Sequence, residues 1–586
     1  MNVLKRLASL ALSAAMVLSL GACAGKSANG FDAFIDQEFV QYMESDYTYA
    51  HIFLGDPAKF GVDPAAIPVN LGLRLDEEGL KQAAEKRDAA WAEFQRFSRE
   101  KLTDEQKDTY DIYEFDKGLE HAQDDEKFDY YQPLFASMAG VHYTLPTMFT
   151  DWILYDEQDV KDLILLVQDM RPYLAGAIAY TRTQQEKGLL MLDIDAVAAY
   201  CGNIVQKGMD SAVLAAMCES VDALNLDAAK TADYKEQLAE AFRDSFLPAY
   251  QDILDLMAEL KQGENNEEGL AKFEHGKEYF ELLLKQNTGT TKSVEEIREE
   301  LQNSYEEHWA NFVEILASDE DVAQAFSEGN MPVTAYQSYT EMLEDIRGQL
   351  FNDFPAVKNL DYEIQNVNEE IASDSGILAY FNLPRLDGSR PKQLRVNPNL
   401  GENMEDLLTY QTVAHEGFPG HMYQFAYAYE NLSSPWRKVM VDSLAYSEGY
   451  ATYAQEYATE HYLQDVDPNM LEALNEQNLI LYCAIMLEDI GIHYDGWSLE
   501  EAAEFGEAAG IVMDEESYKQ LQANPCAFEP YYYGYMQILK MKEKAQEALG
   551  GKFEDKAFHE ALLKSGTAPF SVVERNIDAY IIQNVK

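Results

Sequence analysis

T-V-A-H-E-G-F-P-G-H-M-Y-Q, residues Thr412–Gln424, carries two of the chain's ten histidines and a glutamate directly after the first. Imidazoles such as those of His415 and His421 hold zinc, and a carboxylate beside the first, Glu416, is placed to take a proton from an attacking water. The familiar spacing for such a set is H-E-x-x-H, because residues four apart share a helix face. Here His421 follows His415 by six. On a regular helix, at about 100° per residue, positions six apart point about 120° away from each other, too far to meet on one ion. Pro419, however, has no N–H to bond back to the carbonyl of His415, and Gly420 loosens the backbone beside it. A kink or widened turn is therefore expected there, one that returns His421 to the side of His415. The bland alternative is a chance His-Glu pair and a histidine flanking a helix end.

The next informative stretch is Ser443–Tyr457, S-L-A-Y-S-E-G-Y-A-T-Y-A-Q-E-Y, which reads as a mostly buried helix carrying Glu448. One large class of zinc peptidases takes its third ligand from a glutamate on the following helix. Glu448 fits that need, and Gly449 after it lets a neighbouring backbone approach closely. An ordinary helix-surface carboxylate is the alternative for Glu448. Glu456 and Glu460 read as residues of the solvent face.

H-E-G-F-P-G-H followed by S-E-G-Y-A-T-Y-A resembles the bacterial domain-of-unknown-function 885 family. Through its H-E-x-x-P-G-H stretch that family is similar to zinc metallopeptidases of the glutamate-ligand class. The likeness extends through Tyr380–Pro391 (Y-F-N-L-P-R-L-D-G-S-R-P), Asp489–Trp497 (D-I-G-I-H-Y-D-G-W), Asn524–Tyr535 and Phe558–Phe570. It spans nearly the whole mature chain and is densest after residue 376. Tyr531 and Gly534 match the family's P-x5-Y-x2-G pattern. A tyrosine hydroxyl near zinc can donate to the oxyanion formed when water attacks a peptide carbonyl, with packing as the alternative role. Tyr532 and Tyr533 read as structural. The resemblance also includes His493, which is expected either to line the cleft or to satisfy a buried hydrogen bond, the first being favoured.

Lys5 and Arg6 followed by the apolar run Leu7–Leu20 form a signal-peptide core, and Leu20-Gly21-Ala22-Cys23 reads as a lipobox. Cys23 is expected to carry lipid and become the N-terminus, with Ala24–Gly30 as a polar tether. No later stretch has about 20 uninterrupted apolar residues, so no membrane span is expected beyond the anchor. The chain has 103 acidic and 45 basic residues, a formal charge of −58. Nucleic acid and anionic membrane surfaces need basic patches, so binding to either through charge is disfavoured. Cys201, Cys218, Cys483 and Cys526 lack metal-finger spacing and read as free thiols, a Cys201–Cys218 disulfide being compatible but not indicated.

From Phe31 to about Gly376 the pattern is helical. Val160, Leu163, Ile164 and Val167 recur at i, i+3, i+4 and i+7, and capping boxes stand at Thr103/Gln106, Ser293/Glu296 and Ser498/Glu501. Leu145-Pro146 and Asp353–Val357 read as breaks between helices. Around residue 376 the period changes. Ile377–Phe381 and Gln393–Asn397 have strand character and predict a small hairpin ahead of the metal helix. Such an edge can hold a peptide main chain to main chain. Arg385, Arg390 and Asn397 are candidates for contacts there, against a simple turn stabilised by Asp387 and an arginine. Asn524–Gly534 is expected to be a loop entering a helix over Tyr535–Leu549, and His559 to belong to a closing helix outside the site.

The expectation is a mainly α, large two-lobed helical, metallopeptidase-like fold, with leader 1–22, tether 23–30, a helical region 31–375 and a catalytic region 376–586. His415, His421 and Glu448 would hold one zinc per chain. Glu416 and Tyr531 would do the chemistry, Asn397, Arg390 and His493 would contact a peptide substrate, and Gln424 would support His421. The expected partners are a peptide and, only through lipid on Cys23, the extracytoplasmic face of a membrane. The rival reading is a non-catalytic peptide- or solute-binding lipoprotein with a degenerate metal site. A structural surface protein is disfavoured by the lack of repeats.

Overall fold

Each of the three capping boxes opens a helix. The side chains of Thr103, Ser293 and Ser498 accept from the N–H three residues on, and Gln106, Glu296 and Glu501 reach back to the cap N–H. The computed structural model describes residues 28–368, 378–398, 404–441, 443–463 and 466–585. Helix makes up 71% of it and the strands form one small three-stranded sheet, which places the fold in the mainly α class. The leader and Cys23 lie outside the described residues, as does Ile377. Ala28–Gly30, expected as tether, already belong to the helix Ala28–Ser45.

The periodic stripe Val160, Leu163, Ile164 and Val167 is fully or nearly fully buried along the 30-residue helix Glu157–Glu186. It packs in an apolar cluster drawn from residues 71–260. A larger cluster combines Phe31–Tyr131 with residues from Leu270 to Tyr580, so apolar packing runs across the change of period at residue 376. Leu145-Pro146 does not end a helix as expected. It lies inside Val141–Thr150, where Pro146 falls in the second turn. The break at Asp353 is real: Tyr339–Asp353 stops there. All four described cysteines are free thiols.

The expected hairpin forms part of a sheet of three strands: β1 (Tyr362–Asn366), β2 (Ala379–Asn382) and β3 (Lys392–Val396), in the order β1-β3-β2. β2 runs antiparallel to β3 with Ala379 opposite Val396. β1, which was not among the expected strands, runs parallel with Tyr362 opposite Lys392. This arrangement leaves β2 an edge strand. Its outward backbone faces the helices that carry the histidines.

Candidate metal centre

Thr412–Gln424 spans two helices rather than one kinked helix. The first, Leu407–Glu416, ends on Glu416, and the second, His421–Asn431, begins on His421. Pro419 and the two glycines make the reversal between them. A Cβ on Gly420 would stand 1.8 Å from the carbonyl oxygen of His415, so only glycine fits that turn. Tyr450, two residues beyond Glu448, donates its hydroxyl to the carbonyl of Pro419 at 3.0 Å and pins the turn to the next helix.

The reversal brings the rings of His415 and His421 to a centroid distance of 4.9 Å, at 87° to each other. Glu448, on the helix Leu444–Tyr462, completes the group. One of its carboxylate oxygens, Oε2, lies 3.5 Å from Nε2 of His415 and 3.3 Å from Nε2 of His421. All three ligand atoms fall within 4.8 Å of one another. Four-coordinate zinc with bonds of about 2.0–2.1 Å spaces its ligand atoms by about 3.3 Å. The donor set, two imidazole nitrogens and one carboxylate, therefore fits zinc in chemistry and in spacing. Gln424 Oε1 sits 3.2 Å from His421 Nδ1, which places the proton on Nδ1 and leaves Nε2 free as a ligand. Burial works against a charged His421. The adjacent Glu448 carboxylate outweighs it and raises the imidazolium pKa to about 9, while burial's pull on Glu448 is overcome by both histidines, which hold it well below the usual carboxylate range.

Glu416 is not part of the ligand triangle. Its Oε2 accepts the backbone N–H of Phe381, on the outward edge of β2, at 2.9 Å. Burial raises its pKa above the ordinary glutamate value, partly opposed by the two histidines. Tyr531 approaches from the helix Glu529–Leu549, its ring 6.3 Å from that of His415 and inclined at 24°. That helix starts six residues earlier than expected because Pro530 sits in its first turn, where a missing N–H costs nothing. The charge of Glu448, then burial, raise the Tyr531 pKa and keep the hydroxyl a proton donor. Tyr532 stacks on Tyr482 at 3.7 Å and Tyr533 donates to Glu300, both structural roles as expected.

The remaining sequence candidates divide. Asn397 is buried and its N–H bonds to the Leu378 carbonyl, extending the β2–β3 pairing. Arg390 is buried in the loop between those strands. The structure does not bring His493 to the metal centre. Its fully buried ring accepts from the Leu270 N–H at Nδ1 and donates to the Leu521 carbonyl from Nε2, both at 3.1 Å, and burial lowers its pKa to about 4. Glu456 is a correction too: it is buried, with burial pushing its pKa up to about 7, while Glu460 is exposed as read. His559 stacks on Phe354 in a closing helix, away from the ligands. Sequence reading missed the Tyr450 clamp and the Phe381 N–H, because neither a hydroxyl's partner nor an outward strand edge leaves a periodic signal.

The chain belongs to the family of bacterial proteins of unknown function designated DUF885, whose model matches residues 71–577. A solved structure from Colwellia psychrerythraea, named as a lipoprotein, is similar over 96% of this chain and 100% of its own, with a TM-score of 0.80 at 18% identity. A second, named as a lipoprotein of unknown function from Shewanella oneidensis, is similar over 94% and 99%, with a TM-score of 0.62 at 16% identity. At these identities the likeness is one of fold. No curated protein matches the chain.

Proposed function

We propose that the protein is a zinc-dependent peptidase, exported and held at the outer face of a membrane by lipid on Cys23. One observation carries the catalytic reading: a single oxygen of Glu448 lies 3.5 and 3.3 Å from the Nε2 atoms of two histidines, with Glu416 beside them yet outside the triangle. When bound, zinc would acidify a water and polarise a peptide carbonyl. His415, His421 and Glu448 would hold it, and Gln424 fixes the ring orientation of His421. Glu416 takes the proton from the attacking water and passes it to the leaving amine; the Phe381 N–H fixes the direction of its carboxylate. Tyr531 donates to the oxyanion. The outward edge of β2 offers main-chain groups to an extended peptide. The lipid anchor is supported by the leader and lipobox, and the names of both structural relatives agree with it. Among the described residues no helix is long and apolar enough to cross a membrane.

The test compares wild type with Glu416→Gln on a diverse peptide mixture, with and without chelator, followed by mass spectrometry. Chelator-sensitive cleavage by wild type is expected. In the variant it should fall by at least about 10²–10⁴-fold with zinc content retained. Equal cleavage by both proteins would remove Glu416 from the mechanism. Peptide binding without cleavage by either would make the protein a binding lipoprotein.

A further inference from the structure

Three arginines lie in and just after the loop that joins β2 to β3: Arg385, Arg390 and Arg395, at 7%, 7% and 9% exposure. In a chain with 103 acidic and 45 basic residues, buried guanidiniums gathered at one place call for a cause. Two of them are answered within the fold. Arg395 pairs with Asp151 at 3.1 Å and reaches the Asn366 carbonyl at 3.4 Å. Arg385 donates twice to the His51 carbonyl, at 3.1 and 2.9 Å, and lies over the ring of Tyr155. Arg390 is different. Among the described residues it has no hydrogen bond and no ion pair; its Nε, like that of Arg395, is wholly buried without an acceptor, but Arg395 has its other nitrogens paired. The charge of Asp151 favours the Arg390 cation from a distance, but its oxygens make their direct contacts with Arg395, with the Tyr380 hydroxyl at 2.8 Å and with Asn382 Nδ2 at 3.0 Å.

A buried cation without a partner is strongly unfavourable unless a ligand supplies the anion. The position of Arg390 says which ligand. β2 meets the metal centre at Phe381, whose N–H holds Glu416. Farther along the same chain, Pro384 accepts the hydroxyl of Tyr429 from the His421 helix at 3.4 Å, and the charge of Arg390 bears on that same tyrosine. β2 ends at Asn382, and the three residues from Phe381 to Pro384 span at most about 10 Å at 3.3 Å per residue. An extended peptide laid along β2 would bring a group two or three residues from its scissile bond to this point.

We infer that Arg390 is the receptor for a carboxylate of the peptide substrate, carried two or three residues from the bond that is cut. The identity of the ligand as a peptide rests on the peptidase reading. The carboxylate belongs either to the C-terminus or to an acidic side chain, and a guanidinium donates to both in the same bidentate way.

The experiment uses one alanine-rich peptide in three forms: the free acid, the C-terminal amide, and amides carrying a single glutamate at each position in turn. Cleavage by wild type, Arg390→Ala and Arg390→Lys is followed as kcat/KM, and binding to wild type is measured by calorimetry. Wild type should favour a carboxylate-bearing form over the neutral amide by at least about tenfold, chiefly through KM, and Arg390→Ala should level the forms. Preference for the free acid assigns the C-terminus, and rescue of the amide by glutamate assigns a side chain. If wild type cleaves every form alike, the inference falls while the peptidase reading stands. It falls equally if the preference persists in folded Arg390→Ala. If wild type cleaves nothing, the peptidase reading falls and calorimetry decides: tighter binding of the free acid or of a glutamate amide than of the neutral amide sustains the carboxylate site, and equal or absent binding ends it. The acid–amide comparison on wild type needs no variant to fold, and Arg390→Lys keeps the charge should alanine prove disruptive.

Discussion

Glu488 is fully buried, and among the described residues neither of its carboxylate oxygens has a hydrogen-bond partner. Burial pushes its pKa up to about 8, against about 4.3 for an unperturbed glutamate. The folded chain therefore binds this proton more tightly than the unfolded chain. Its stabilising effect is complete below about pH 4, fades as the pH rises through 8, and is constant above that. Glu488→Gln keeps the shape and removes the titration, so it should raise the melting temperature more at pH 8 than at pH 5, by an amount worth a few kcal/mol. An equal change at both pH values would show that Glu488 is not protonated in the fold. Tyr531 poses a different question on the same scale. If its hydroxyl meets the oxyanion, Tyr531→Phe should lower kcat by about 10²–10³-fold with little change in KM or zinc content. Unchanged kcat would return the residue to a packing role.

At the scale of elements, the candidate metal centre depends on how closely helices approach. Gly449 of the Glu448 helix meets Gly534 of the Tyr531 helix. A Cβ on Gly534 would stand 1.9 Å from the Ala445 carbonyl oxygen and 2.8 Å from the Cα of Gly449. This crossing is what sets Tyr531 beside His415. Gly534→Ala should force the two helices apart, costing about 1–3 kcal/mol as overpacking does, and should lower turnover beyond what the lost stability explains. A melting temperature and a kcat that both match wild type would dissolve the link. The elements also mark where the sequence could be read and where it could not. Buried stripes, capping boxes and the S-E-G helix announce themselves through spacing, whereas the nearness of His415 and His421 had to be read against a spacing of six. The reversal at Phe418–Gly420 was legible as a defect but not as a helix end, because a missing N–H does not say whether the chain resumes its direction. β1 escaped notice because its alternation, Tyr362-Glu363-Ile364-Gln365, lasts only four residues and none of its side chains is fully buried. His493 misled because a histidine beside a capping box looks the same in sequence whether it faces a cleft or bridges two backbone groups.

For the whole molecule, the dominant electrostatic fact is the charge. Ion pairs such as Lys261–Asp195 and Arg171–Asp252 lie at the surface and each contributes little, about 0–1 kcal/mol. Salt weakens them. Yet with 103 acidic residues and 45 basic ones, 58 negative charges have no counterpart, and folding brings them closer than the unfolded chain does. The repulsion among unmatched charges therefore outweighs the pairs that salt would loosen. Screening shortens from about 30 Å at 0.01 M salt to about 10 Å at 0.1 M, which spans the separations typical of charges across one face. At constant pH and zinc, the melting temperature should rise by several degrees between 10 and 300 mM NaCl, and KCl should do the same because the effect is not specific to the ion. Most of the gain should come below about 100 mM, where the screening length changes most. A melting temperature that falls with salt would mean that ion pairs, not the excess of carboxylates, govern the fold's response to its surroundings.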